Sequence, residues 1–199
     1  MLRDITTLIT LVTVSVLMIR PLLETQSATF FLQAKNAVKM AFFVSLIPLL
    51  TSLLGASSIV VTNVKLFEQA MTLFSFSLQS DLYTTIFLPI IFLVTWSIIE
   101  YSIWYLQIGH NIHMFLKYTL IFLLVIILLI STGNLFLFFI GWEGVGLMSF
   151  MLISWYSRSN AASAALQAVL YNRAGDIGFM MTVCWLLMNT QSLALPYVL

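Results

Sequence analysis

Three ionisable residues stand in long apolar runs where charge is costly, and they are the first candidates for chemistry: Glu143, Arg173 and Asp176. Glu143 lies in Phe138-Phe139-Ile140-Gly141-Trp142-Glu143-Gly144-Val145-Gly146-Leu147-Met148-Ser149-Phe150. A charged group at the centre of a membrane helix costs roughly 3 kcal/mol, so such residues face a bundle interior, a partner or a wet cavity. A carboxylate held there can take up and release a proton as burial and a neighbouring cation pull in opposite directions. Its work would be to relay a proton rather than to attack a substrate. Gly146, one turn on, shares its face and lets a second helix or a file of water come close. The competing reading is a neutral carboxyl tied to a Ser or Trp donor, joining two helices.

Arg173 and Asp176 belong to Tyr171-Asn172-Arg173-Ala174-Gly175-Asp176-Ile177-Gly178. Three residues apart on a helix, they share a face and can neutralise each other. Two readings stand side by side: a structural ion pair, and a switchable pair that opens or closes a water path, with Gly175 and Gly178 allowing local distortion. Glu100 lies near a helix end, where snorkelling or capping is expected. His110 and His113 have no carboxylate or thiol companions, so no metal site is expected. The lone Cys184 can make neither an intrachain disulfide nor a redox pair. There is no phosphate loop, dinucleotide fingerprint or Ser, His, Asp constellation, and so no expected catalytic or cofactor-binding residue.

The elements that must position these residues follow from composition. Of 199 residues, 61% are hydrophobic and 8% charged, against about 25% charged in soluble domains. This is an integral membrane composition, and with a net charge of +1 and no basic block nucleic-acid binding is excluded. A spanning helix needs about 20 mainly apolar residues, which marks out residues 5–19, 41–61, 82–106, 115–130, 135–155 and 161–188. Arg20 and Pro21 close the first, which reads as a membrane segment rather than a cleaved leader. On this ruler Glu143 sits about 12 Å below the start of its helix.

Between the second and third helices Phe74, Phe76 and Leu78 alternate with Ser75, Ser77 and Gln79, a period of two that suggests a short strand or hairpin, a surface segment lying at the membrane. The expected fold is an all-α integral membrane bundle of about six transmembrane helices with that short hairpin, forming one transmembrane region over residues 1–199. Arg20, Lys35, Lys39, Lys117 and Arg158 fall on one side and Arg3 and Lys65 on the other, which sets the N-terminus on the less positive face.

The stretch Leu93-Val94-Thr95-Trp96-Ser97-Ile98-Ile99-Glu100, the segment around Gly141-Trp142-Glu143-Gly144-Val145-Gly146, and Tyr171 to Gly178 closely resemble the antiporter-like chain 5 family of the mitochondrial NADH:ubiquinone oxidoreductase, respiratory complex I. The likeness covers essentially the whole chain and is strongest from Asp81 to about Trp185. It implies a multi-pass subunit of the mitochondrial inner membrane, partnered by other membrane-arm subunits and by lipid. It further implies a share in proton translocation while the complex passes electrons from NADH to ubiquinone, with no redox catalysis by this chain. FMN, iron-sulfur clusters, NADH and ubiquinone would be bound elsewhere in the complex. In the family the carboxylate matching Glu143 works with lysines on later helices, and the pair matching Arg173 and Asp176 belongs to the adjacent charged network. Those lysine-bearing helices are expected beyond Leu199, so that the chain reads as a fragment. Alternatives are a subunit of a multi-subunit sodium/proton antiporter, a class the same family includes, and an inert structural fragment.

Overall fold

In a computed structural model the described residues are 2–23, 30–54, 60–64, 76–105, 112–155 and 159–190. They form α1 (Leu2–Leu23), α2 (Phe30–Leu53), β1 (Val60–Val64), β2 (Phe76–Ser80), α3 (Leu82–Tyr105), α4 (Ile112–Ser131), α5 (Leu135–Ser154) and α6 (Ser159–Thr190). The all-α membrane bundle read from the sequence is therefore present, and β1 pairs with β2 as the short hairpin element between α2 and α3. Phe74, Ser75, Lys65, His110 and Arg158 lie outside the described residues.

The helix bounds differ from the sequence expectation most at the second helix and at the ends of the first, which runs over 2–23 rather than 5–19. The second helix begins at Phe30 rather than at residue 41, and ends at Leu53 rather than 61. A purely apolar ruler rejects Gln33, Lys35, Asn36 and Lys39, but Gln, Lys and Ala are good helix formers. The helix therefore starts well before its apolar stretch. Its last backbone bond, Leu54 N–H to the Leu50 carbonyl at 3.2 Å, comes just before Gly55. In α1, Pro21 lies inside the last turn instead of closing the helix ahead of it. So near a C-terminus its missing N–H forfeits a single bond, to the carbonyl of Leu17.

The chain divides into two compact units: residues 1–60 with 80–127, and 61–79 with 128–199. In the first, α2 packs on α1 and on α3. The buried positions of α2, Phe30, Ala34, Ala37, Val38, Ala41, Ser45, Pro48 and Ser52, recur every three or four residues. Most are small, which lets membrane helices approach closely. The buried hydroxyls close on their own helices: Ser45 Oγ donates to the Phe42 carbonyl at 2.7 Å and Thr95 Oγ1 to the Ile91 carbonyl at 2.8 Å. These two hydroxyls are thereby not left unmet against hydrocarbon. Large apolar side chains such as Phe43, Ile47, Phe87 and Ile90 point outward, the arrangement expected when the surroundings are lipid or neighbouring helices.

In the second unit α5 packs on α6. Asn134 starts α5: it is buried, and its side chain accepts from the Phe136 N–H at 3.1 Å, satisfying one of the free donors of the first turn. Leu78 and Thr132 form an isolated antiparallel bridge just ahead of it. Gly141 is the buried position of α5, and a Cβ there would lie 3.0 Å from Leu129 Cα, so the two backbones touch. Phe179 of α6 stacks on Phe139, centroids 5.6 Å apart.

Five helices, α1 to α5, are long and apolar enough to cross a membrane. The expected sixth span, over 161–188, forms as the 32-residue α6 but is not among them. Ser163, Gln167, Asn172, Arg173 and Asp176 lower its hydropathy, and those same residues bring charge to α5.

Candidate functional site

Glu143 lies on α5 and Arg173 and Asp176 on α6, and packing brings the three together. Arg173 Nη2 is 2.5 Å from Glu143 Oε1, with the side chains 56% and 24% exposed. Arg173 Nη1 is 3.7 Å from Asp176 Oδ2, and the Asp176 side chain is 9% exposed. The first contact has the short distance of a charge-assisted hydrogen bond and the second only that of an ion pair. One guanidinium, with its rigid fork of donors, thus serves two carboxylates. The ionised cluster carries one surplus negative charge, which a proton or a small cation would cancel.

The local sequence explains the approach. Gly146 shares a face with Glu143, and a Cβ placed on it would come within 2.9 Å of Asn172 Nδ2. The Asn172 amide therefore occupies the space a side chain at 146 would fill, and the neighbouring Arg173 is carried to the Glu143 carboxylate. A slot of about 10 Å³ adjoins the cluster, lined by Trp142, Glu143, Gly146, Asn172, Arg173 and Asp176 among others. That is room for about one water. Asp176 Oδ1 is buried and accepts no hydrogen bond from the described residues.

The i,i+3 pair of Arg173 and Asp176 was legible from spacing, but the closer contact, Arg173 to Glu143, was not. Within this chain Glu143 has an ion-pair partner in Arg173. Two further contacts were missed in the first unit. Lys35 Nζ is 2.5 Å from Glu100 Oε1, so Glu100 is paired rather than simply snorkelling. Lys39 Nζ lies over the Trp96 ring, 5.6 Å from its centroid. The signal was available: the start of α2 and the end of α3 lie on the same membrane side, and they carry opposite charges. His113 sits against the Phe31 ring, 4.4 Å between centroids. Among the described residues no group of three metal-ligating side chains converges.

Comparison with known proteins gives the family of the chain. Residues 70–116 match the family model for the NADH-ubiquinone oxidoreductase (complex I) chain 5 N-terminus, and residues 132–199 the membrane model shared by NADH:quinone oxidoreductases and Mrp antiporters. The two together take in more than half of the chain. The chain is 44% identical over 168 residues to the NADH-ubiquinone oxidoreductase chain 5 of Ceratotherium simum, covering 84% of this chain and 28% of that protein. It is 40% identical over all 199 residues to that of Dugong dugon, where it covers 33% of the relative, and 46% identical over 165 residues to that of Pongo pygmaeus, covering 82% of this chain and 27% of the relative. The chain thus spans about a quarter to a third of the curated relatives it matches.

A chain of the archaeal membrane-bound sulfane sulfur reductase, a respiratory membrane complex, superposes with a TM-score of 0.73 at 15% identity, covering 97% of this chain and 38% of that one, which shows a shared fold. The mammalian relatives and the five span-length helices make this a multi-pass protein of the mitochondrial inner membrane. It belongs to the chain 5 family of the NADH-ubiquinone oxidoreductase, respiratory complex I.

Proposed function

We propose that this chain supplies one end of a proton path in the membrane arm of the proton-translocating NADH:ubiquinone oxidoreductase, and that Glu143, Arg173 and Asp176 are the groups that carry it. The observation behind the reading is the sharing of one guanidinium by two carboxylates on two apolar helices. Adding a proton to Glu143 turns it into a neutral acid and cancels the surplus charge. The Arg173 guanidinium, no longer held across the helix interface, then turns to Asp176, already within its reach. Loss of the proton reverses the sequence. The slot beside the carboxylates, with room for about one water, gives the proton a way in and out. Substrate oxidation, FMN, iron-sulfur clusters and ubiquinone belong to other subunits of the complex, and the partners of this chain are neighbouring membrane-arm subunits.

The test is Glu143→Gln in the full-length subunit within the complex. Gln keeps the volume and the hydrogen-bonding capacity but cannot exchange a proton. Pumping-coupled turnover should fall by at least about tenfold, equivalent to roughly 1.4 kcal/mol on the limiting step. Unchanged turnover and unchanged protons per NADH would overturn the assignment.

A further inference from the structure

A second cavity, of about 380 Å³, opens in the first unit between the end of α1 and the start of α2. It is lined from α1 by Leu17, Arg20 and Pro21, and from α2 by Gln33, Asn36, Ala37 and Met40. The spacing i, i+3, i+4 recurs on both helices, so two helical stripes face one another across it. Its volume is that of a small-molecule site. Nothing in the proton path uses it.

The charges around it are divided in a particular way. Lys35 and Lys39 share the other side of α2 and are both engaged by α3, one on Glu100 and the other over Trp96. Arg20 has no such partner among the described residues. Its guanidinium is a planar fork of donors suited to a phosphate. Asn36 adds an amide donor. Gln33 also lines the cavity, though its Oε1 is itself buried. Arg20 and Asn36 are exposed and are the donors at the cavity's edge. Leu17 and Met40 lie about one turn, roughly 5 Å, deeper along their helices than Arg20 and Asn36, and they are apolar.

We propose that this cavity binds a phospholipid: its phosphodiester on Arg20 and Asn36, and the start of its acyl chains along Leu17 and Met40. The order of groups down the cavity, cation and amides at the helix ends and apolar side chains beneath, is that of a lipid entering from the membrane surface. The ligand class that fits is an anionic phospholipid such as phosphatidylglycerol, whose single negative charge matches the one cation of the lining, Arg20. Free inorganic phosphate shares the phosphate chemistry but would leave the apolar floor unused.

The complex containing this chain, reconstituted into phosphatidylcholine vesicles doped with a photo-crosslinking phosphatidylglycerol, tests the assignment. Crosslinks should concentrate on the peptides of α1 and α2 that line the cavity. They should be displaced by unlabelled phosphatidylglycerol but not by inorganic phosphate. Arg20→Gln and Asn36→Asp, both at exposed positions, should each lower the yield roughly tenfold, the loss expected for charge-assisted bonds to one anion, while Arg20→Lys keeps most of it. Crosslinks spread evenly over the other helices, yields unmoved by Arg20→Gln and Asn36→Asp, or displacement by inorganic phosphate would each refute the lipid site.

Discussion

Arg173 of α6 reaches across to Glu143 of α5 with its Nη2 2.5 Å from the carboxylate, while the Nη1 of the same guanidinium stands 3.7 Å from Asp176 one turn along its own helix. Removing the arginine leaves two carboxylates near each other without their shared cation, and a lone buried charge costs more than its pair contributes. Arg173→Gln should therefore lower pumping-coupled turnover by at least about tenfold, and Arg173→Lys, which keeps the charge but not the fork, by less. The double variant Arg173→Gln with Glu143→Gln should recover thermal stability relative to Arg173→Gln alone, without recovering pumping. A double variant no more stable than the single one means the two groups do not interact.

The two glycines of α5 predict different outcomes for the same added methyl. A Cβ at 141 meets the Leu129 backbone at 3.0 Å, which cannot swing aside, so Gly141→Ala should cost about 1–3 kcal/mol of stability. At 146 the obstacle is the end of the Asn172 side chain, 2.9 Å away. That amide can rotate, and Ala gains roughly 1 kcal/mol over Gly in helix propensity, so the net change in stability at Gly146→Ala should be close to zero. The displaced amide adjoins Arg173, so this second variant should disturb pumping more than melting. Thermal denaturation of both in detergent, set beside turnover, separates the two effects.

The pair of Lys35 and Glu100 is a surface-level contact, with side chains 31% and 55% exposed. Exposed pairs of this kind are worth about 0.2–1 kcal/mol. A double-mutant cycle on Lys35→Met and Glu100→Met should give a coupling energy in that range, weakening as salt is raised, with pumping left intact. A coupling of several kcal/mol, or a pumping defect in Glu100→Met, would promote Glu100 from structural partner to relay member.

Helix α6 differs from the five apolar helices in what it needs from its neighbours. Placed alone in a membrane-insertion reporter, the segment should insert poorly, and Arg173→Leu should improve its apparent insertion free energy by roughly 2.5–3.5 kcal/mol. Adding α5 ahead of the native α6 should recover part of that gain, because Glu143 supplies the counter-charge. Insertion that ignores both changes would mean that the charges of α6 lie outside the apolar layer.

What could be read from the sequence and what could not divides along the reach of an interaction. Helix-forming apolar runs, the hairpin between α2 and α3, and the pairing of Arg173 with Asp176 all depend on neighbours within a turn or two, and periodicity reports them. The start of α2 at Phe30 did not show, because Gln33, Lys35, Asn36 and Lys39 interrupt its apolar run and the groups that receive the two lysines lie on α3. The contact of Arg173 with Glu143 joins two helices, and nothing local in either one encodes it. Its trace was indirect, in Gly146, whose bare backbone announced that something from outside α5 comes close to the carboxylate. That something is the amide beside Arg173.

The 32 residues of α6 make a rod about 48 Å long, whereas the hydrocarbon layer is about 30 Å thick. Lying wholly within that layer would demand a lean of roughly 50°, beyond the range of about 0–40° seen for membrane helices. The helix is thus longer than one crossing requires, and its first two turns carry Asn160 and Ser163, both exposed. Were α6 to cross that layer, Arg173 and Asp176 would ride on a helix with about 18 Å of its length to spare outside it.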